Sequence, residues 1–421
     1  MVRFTKAILL CLLLVSILSA GGFELYEFGA AASGLSGAVV ARPWDASTVF
    51  YNPAGIAFLP DGSHIYGNLT LIKATSKWSG ADPVFSGEEH TSKDQLHTPI
   101  GFFYSHQFSP SIYAGIGVTN PFGLGLAWEE DFPGRSISFN SDLKSFYISP
   151  VFTYKVSDAF SVSAGLDVVL GMVTLERYVR VFDSEGSPGY EAAKSKIEGS
   201  SDPAFGFTAS MMYQSENIGL GFLYRHSVKN TLTDADATFS YLDNYATLVA
   251  QNNLKDQKVS SSLSFPGFFA VGVYYQFLEK MGAEVDFFWF NWSVFDQLVF
   301  DFEELPQTVV REDYENSIQF RLGVHYDLGT DWQLRLGYIY DQTPQPIESI
   351  SPLLPDNDRH DFSFGLGYSK NSWKFDAGYM LVDFGERSTV ENGEGKNYDG
   401  FNGSYSSVAN LFFFAVGYHF E

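Results

Sequence analysis

Apolar and polar residues alternate along this chain in about fourteen stretches, a period of two that sends successive side chains to opposite faces of a strand. Residues 318–328 show the pattern plainly. Ile318, Phe320, Leu322, Val324, Tyr326 and Leu328 share one face, and Gln319, Arg321, Gly323, His325 and Asp327 share the other. The spacing predicts strands at 63–79, 96–108, 111–126, 143–156, 159–180, 203–215, 217–235, 259–277, 281–302, 314–327, 331–341, 360–370, 372–388 and 406–420. Tight links such as Ser109-Pro110, Glu216-Asn217, Gly329-Thr330 and Asn371-Ser372 carry turn residues. They alternate with long links rich in Asp, Glu, Gly, Pro and Ser, at 80–95, 127–142, 181–202, 236–258, 303–313, 342–359 and 389–405. Short turns at one end and long loops at the other fit an all-β fold, a transmembrane antiparallel β-barrel of about 14 strands with its oily face toward lipid. Lipid offers no water to an open sheet edge, so the sheet must close.

The beginning of the chain lies outside this rhythm. Arg3 and Lys6, an apolar run from Ala7 to Leu18, and the small residues Ser19, Ala20 and Gly21 read as a signal peptide over 1–20. Residues 21–62 are rich in Gly, Ala and Ser. They read as an N-terminal arm or, preferably, as a hatch plugging the lumen, with the barrel proper at 63–421.

Composition narrows the setting. No stretch has the roughly 20 unbroken apolar residues of a membrane helix, yet aromatics make up 17% of the chain. The single cysteine, Cys11, lies in the leader, so the mature chain has no disulfide. The formal net charge of −23 repels phosphates and excludes a nucleic-acid partner. Expected partners are outer-membrane lipid, lipopolysaccharide and a hydrophobic small molecule, with the protein a monomer in the outer membrane of a Gram-negative-type bacterium.

The inward face is greasier than a water-filled porin requires. Over 283–302, Glu284, Asp286, Phe288, Phe290, Trp292, Val294, Asp296 and Leu298 share a face, and the opposite face is also aromatic at mid-strand. The last strand likewise has Leu411 and Phe413 opposite Phe412 and Phe414. Such side chains either pack on a plug or line a path for a hydrophobic solute. On 159–180, Val173, Leu175 and Arg177 fall on the face taken as inward, so Arg177 projects from an apolar patch near the extracellular rim. A guanidinium there suits an amphiphile's carboxylate, or else an ion pair with Glu176 or Asp183. Arg311 begins the descent into 314–327 and is a second candidate cation, or a solvated loop charge. Pro121, within Asn120-Pro121-Phe122-Gly123, cannot donate to a ladder and predicts a kink that opens a gap between strands. Pro150 and Pro266 are weaker versions of the same signal.

Taken in order, these segments resemble the long-chain fatty acid transporter family (FadL type). The matching segments are Gly22-Phe23-Glu24-Leu25-Tyr26-Glu27-Phe28, Asn52-Pro53-Ala54-Gly55, Asn120-Pro121-Phe122-Gly123-Leu124, Leu175-Glu176-Arg177, Phe290-Asn291-Trp292-Ser293-Val294-Phe295 and Pro355-Asp356-Asn357-Asp358-Arg359. The resemblance implies a fourteen-stranded barrel with an N-terminal hatch, ligand capture between extracellular loops and an inner pocket. It places Phe23, Asn52, Pro53 and Ala54 in the hatch, with the Asn-Pro-Ala turn near the pocket. It assigns a lateral opening to the kinked third strand at Asn120, Pro121, Phe122 and Gly123. Arg177 matches a basic pocket residue. A second pocket lysine falls near Val310, leaving Arg311 as a neighbouring substitute. Val173, Leu175, Phe288, Phe290 and Trp292 complete the expected ligand site.

The sequence has no Gly-x-Ser-x-Gly elbow, no His-Glu-x-x-His helix and no cysteine cluster. Asp356, Asn357, Asp358 and Asp361 read as turn caps rather than a calcium site. The expectation is therefore a non-enzymatic passive transporter without cofactor or metal, carrying long-chain fatty acids. Alternatives are an aromatic-hydrocarbon channel of the same family, a general polar porin, or a barrel lipid hydrolase.

Overall fold

In a computed structural model, described here for residues 22–182, 189–242, 253–329 and 331–421, the period-two pattern becomes a closed ring of 14 antiparallel strands. The signal-peptide reading, Thr330 and the tips of two long links lie outside these residues. The strands are β1 (Ser63–Gly80), β2 (Ile100–Ser109, preceded by Gln95–His97), β3 (Ile112–Thr119 and Gly123–Ala127) and β4 (Asn140–Ser157). Next come β5 (Phe160–Val181), β6 (Tyr190–Ser200 and Ala204–Gln214), β7 (Ile218–Arg225 and Val228–Tyr241) and β8 (Gln257–Phe265 and Phe268–Leu278). The ring continues through β9 (Met281–Phe290 and Gln297–Phe302), β10 (Thr308–Arg311 and Ser317–Asp327), β11 (Trp332–Asp341), β12 (Arg359–Lys370), β13 (Trp373–Ser388) and β14 (Gly403–Phe420). Closure is by β14 on β1, in register from Ser63 opposite Phe420 to Gly80 opposite Gly403.

Register decides which face meets lipid. Phe320, Leu322 and Tyr326 of β10 are exposed, while Gln319, Arg321 and His325 are buried inside. The same holds for Phe362 and Phe364 of β12 and for Phe412 and Phe414 of β14. Exposed aromatics on a closed ring are what a lipid-facing wall requires. The tight turns sit at the end where the chain enters and leaves the barrel. Asn371, with φ of 54°, takes the left-handed conformation that joins β12 to β13.

Two sequence expectations need correction. The links at 181–202 and 236–258 are not loops throughout: β5, β6, β7 and β8 continue into them as paired strands. These hairpins mix charged with apolar residues, and their apolar side chains, such as Ile197, Ala237 and Phe239, pack inward with those of neighbouring strands. The predicted strand 281–302 is also broken, with a 3-10 turn at Trp292–Val294. Comparable breaks interrupt β6, β7, β8 and β10, the one in β8 falling at Pro266. The upper segments of β6–β10 therefore form a separate collar above the lower barrel.

Inside the ring lies the N-terminal segment, with single helical turns at Ala30–Ser33 and Thr48–Tyr51 and a 3-10 turn at Pro53–Phe58. Nearly all of its residues are buried. Small residues permit this close approach: a methyl group added to Gly34 would stand 2.9 Å from the Gly365 Cα on the wall. Phe413 and Leu411 pack in the same core cluster as Tyr26, Phe28 and Phe50. The inward apolar face of β14 is thus accounted for by contact with this segment.

Candidate functional site

The N-terminal segment is held by polar groups that the wall projects inward. Asp286 accepts from the backbone N–H of Val39 at 2.9 Å and of Val40 at 3.1 Å. Glu284 accepts from Ala41 N at 2.5 Å. The Tyr26 hydroxyl donates to Asp361 at 2.5 Å, and Gly22 N donates to Asp356 at 2.8 Å. Arg321, 2% exposed, lies between the Tyr26 and Phe288 rings, donates to Gln319 at 2.5 Å and stands 3.9 Å from Glu24. Burial pushes the Glu24 carboxyl up to about 8, against the opposing pull of Arg321. Periodicity marks Glu284, Asp286 and Arg321 as sharing faces with inward residues, but it gives no sign that backbone N–H groups are the partners of Glu284 and Asp286, and Asp356 lies in a link outside any strand.

At the Asn-Pro-Ala turn, the Asn52 amide donates to Val40 O at 2.6 Å, while Ala54 N donates to Ser210 Oγ at 3.0 Å. Thr153 Oγ1 donates to Pro53 O at 2.9 Å and Ser161 Oγ to Ala54 O at 2.7 Å. These hydroxyls lie on the lower parts of β4, β5 and β6, near the short turns. The turn is thus far from the cavity described next, contrary to the expectation that it lies near the pocket. Ser161 and the cavity-lining Gly171 are separated by ten residues of one strand, on the order of 30 Å.

The cavity lies at the opposite end of the segment. Its walls are Leu124 of β3, Leu143 of β4, Val173 and Leu175 of β5, and the collar residues Ile197, Leu232, Val259, Leu263, Leu298 and Phe300. Leu353 and Leu354 close one side, and Phe23, Phe265 and Phe295 form the base. The empty space is ≈ 810 Å³, opening included. Glu312 is the one ionisable residue among the described lining residues, which include no Lys, Arg or His. It is 2% exposed, and its Oε2 has no hydrogen-bond partner. Burial pushes its carboxyl up to about 8, and Asp399 and Asp313 add to the effect.

The remaining candidates fall around this cavity in different ways. Trp292 stacks edge-on against Phe23, ring centroids 4.9 Å apart, and Phe290 and Phe288 continue the same buried aromatic cluster. These three support the base and do not line the cavity. Arg177 is two residues above Leu175 on the same face and is half-buried, making no ion pair among the described residues. The expected partner Glu176 instead accepts from Asn140 at 2.9 Å, and Asp183 lies outside the described residues. The acidic group that acts on Arg177 is Asp399, whose own carboxyl is raised by burial and pulled back down by Arg177. Arg311 is not a cavity residue. It is exposed, pairs with Asp313 at 2.6 Å and lies over the Tyr398 ring. Strand alternation puts Val310 inward and Arg311 outward, so the substitution for a pocket lysine fails on geometry.

The interrupted third strand meets the tip of the N-terminal segment. Leu25 N donates to Pro121 O at 2.8 Å, Gly123 N donates to Phe23 O at 3.1 Å, and Glu24 bridges Phe122. Beside this junction the ladder between β2 and β3 ends at Phe102 opposite Val118. Above it, Gln95–His97 pairs with β1 and Gly123–Ala127 pairs with β4. The His97 ring fills the seam: a methyl group on Gly125 would collide with His97 Cε1. His97 gives no signal in the sequence, because a lone histidine at the start of a predicted strand carries no pattern.

Residues 11–420 match the family described as outer membrane protein transport protein (OMPP1/FadL/TodX). A long-chain fatty acid transport protein of Escherichia coli O6:H1 is 23% identical over 427 residues, covering 93% of this chain and 94% of that one. Among solved structures, a Pseudomonas aeruginosa FadL homologue superposes with a TM-score of 0.84 at 20% identity, covering 95% of this chain and 100% of that one. The P. putida toluene transporter TodX superposes with a TM-score of 0.72 at 15% identity, covering 95% and 99%. The likeness to both structures is one of fold.

Proposed function

This chain belongs to the OMPP1/FadL/TodX family of outer-membrane transport proteins for hydrophobic compounds, and from that premise we propose a passive route for uncharged apolar molecules. The carrying observation is the apolar cavity between the collar and Phe23, which has no cation among its described lining residues. Cargo enters between the extracellular loops and rests in this cavity. The N-terminal segment acts as a hatch, its Phe23 tip forming both the cavity base and the contact with the broken third strand. Withdrawal of that tip joins the cavity to the seam between β2 and β3, and cargo leaves sideways into lipid. The absent ladder and the His97 ring against Gly125 support this route. Water-filled conduction is disfavoured by the packed lumen.

Long-chain fatty acids are the second reading. Arg177, half-buried above Leu175 and without an ion pair among the described residues, favours a carboxylate at the cavity mouth with the alkyl chain below. Uptake of toluene and of oleic acid by cells lacking and re-supplied with this protein tests both readings. Faster entry of toluene on re-supply supports the first, and faster entry of oleic acid alone supports the second. Equal entry with and without the protein refutes transport.

A further inference from the structure

We propose that the cavity is selective for a neutral amphiphile, an apolar molecule carrying one hydroxyl, with Glu312 and Asn230 receiving that hydroxyl. The inference rests on reading the cavity as the cargo site. Two buried polar side chains interrupt its hydrocarbon lining and lack partners there. Glu312 is 2% exposed with Oε2 unpartnered, and Asn230 is 1% exposed with Oδ1 unpartnered. Asn230 is held in orientation, since its Nδ2 donates to Ser201 Oγ at 2.8 Å and that oxygen also accepts from Gly171 N at 2.7 Å. The amide oxygen is therefore left as the free acceptor.

A pure hydrocarbon leaves both atoms unsatisfied, which is costly in an apolar site. A carboxylate brings negative charge toward Asp399 and Asp313 beside the buried Glu312, with Arg311 turned outward to Asp313. A hydroxyl serves either atom, donating to the Asn230 oxygen or accepting from a protonated Glu312. Burial keeps that carboxyl protonated at neutral pH, its value standing at about 8. Around it Leu232, Val259, Leu298 and Phe300 take the apolar remainder. Alkylphenols and medium-chain alcohols have this form.

The test is binding to the purified full-length protein in detergent, with 4-octylphenol, octylbenzene and decanoate as probes. The expected result is about tenfold tighter binding of octylphenol than of octylbenzene, the scale of one well-placed neutral hydrogen bond. Glu312→Leu and Asn230→Leu should each shrink that preference while octylbenzene affinity holds within about twofold. Glu312→Gln should retain most of it. Equal binding of octylphenol and octylbenzene by the unaltered protein overturns the proposal, as does a preference that survives both leucine variants. Tightest binding of decanoate overturns it in favour of a fatty-acid site. If none of the three probes binds, the cavity itself is not the cargo site and the transport reading falls with it.

Discussion

The backbone N–H of Leu25 meets the carbonyl of Pro121 at 2.8 Å, so the N-terminal segment supplies a strand partner where proline ends the barrel's own ladder. Two features that look unrelated in the sequence, an N-terminal Gly-Phe-Glu-Leu and a proline in a strand, form one junction. That junction separates the cavity from the seam between β2 and β3.

Locking the junction should stop transport reversibly. Glu24 and Phe122 face each other across an antiparallel bridge, within the range a disulfide spans. Cys11 is the chain's single cysteine, so Glu24→Cys with Phe122→Cys introduces the two cysteines of residues 22–421. Uptake of the probe that the unaltered protein carries should fall several-fold on oxidation and recover with dithiothreitol. Equal rates in the two redox states would show that residues 22–25 do not move during transport.

Straightening the third strand should separate binding from release. Pro121→Val with Gly123→Val lets the ladder continue past Val118. Ligand affinity in detergent should stay near that of the unaltered protein, while uptake into cells drops at least several-fold. Uptake at the original rate would exclude the lateral route.

Asp286 anchors the middle of the N-terminal segment. Asp286→Ala leaves the Val39 and Val40 N–H groups without acceptors, each such loss costing about 1–3 kcal/mol. Hydrogen exchange measured by mass spectrometry should quicken within 30–50 and stay slow in the barrel strands. Faster exchange throughout the barrel would mean that Asp286 supports the wall itself.

Glu312 should give binding of apolar cargo a pH dependence. An acid with a folded-state value of about 8 against an ordinary 4.5 favours the folded protein fully below about 4.5 and loses that contribution as pH rises through about 8. Above that point a carboxylate, opposed by Asp399 and Asp313, sits in the hydrocarbon lining. Octylbenzene affinity should therefore fall between pH 7 and 9. Glu24 and Asp356, which holds Gly22 N beside Phe23, titrate in the same range, so Glu312→Gln isolates the effect: its decline should be clearly smaller than that of the unaltered protein. A decline of equal size in that variant would assign the titration elsewhere.

Arg177→Ala distinguishes the two cargo readings. If fatty acids bind with their carboxylate at this guanidinium, decanoate affinity should drop roughly tenfold or more while octylbenzene is unaffected, since charge-assisted hydrogen bonds to buried groups are the strong ones. Equal loss for both probes would make Arg177 a structural contact with Asp399.

Much of the barrel is legible in the order of residues alone. A period of two fixes which side chains share a face, so the inward assignment of Arg321, Phe288, Val173 and Leu175 follows from counting along each strand. Turn chemistry locates the short links for the same local reason. Pro121 announces a break because a residue without an N–H weakens its ladder position, although Pro150 is carried within β4 opposite Ile116. Tertiary structure alone decides what meets those faces. The orphan N–H groups of Val39 and Val40 find Asp286 from a distance of about 250 residues along the chain, and nothing local encodes that. Arg311 and Glu312 differ by one position and by everything functional: alternation turns one to solvent, while the strand break turns the other into the cavity. Composition marks that stretch as charged, but the fate of each charge depends on where β10 breaks and on which neighbours the ring closure brings beside it.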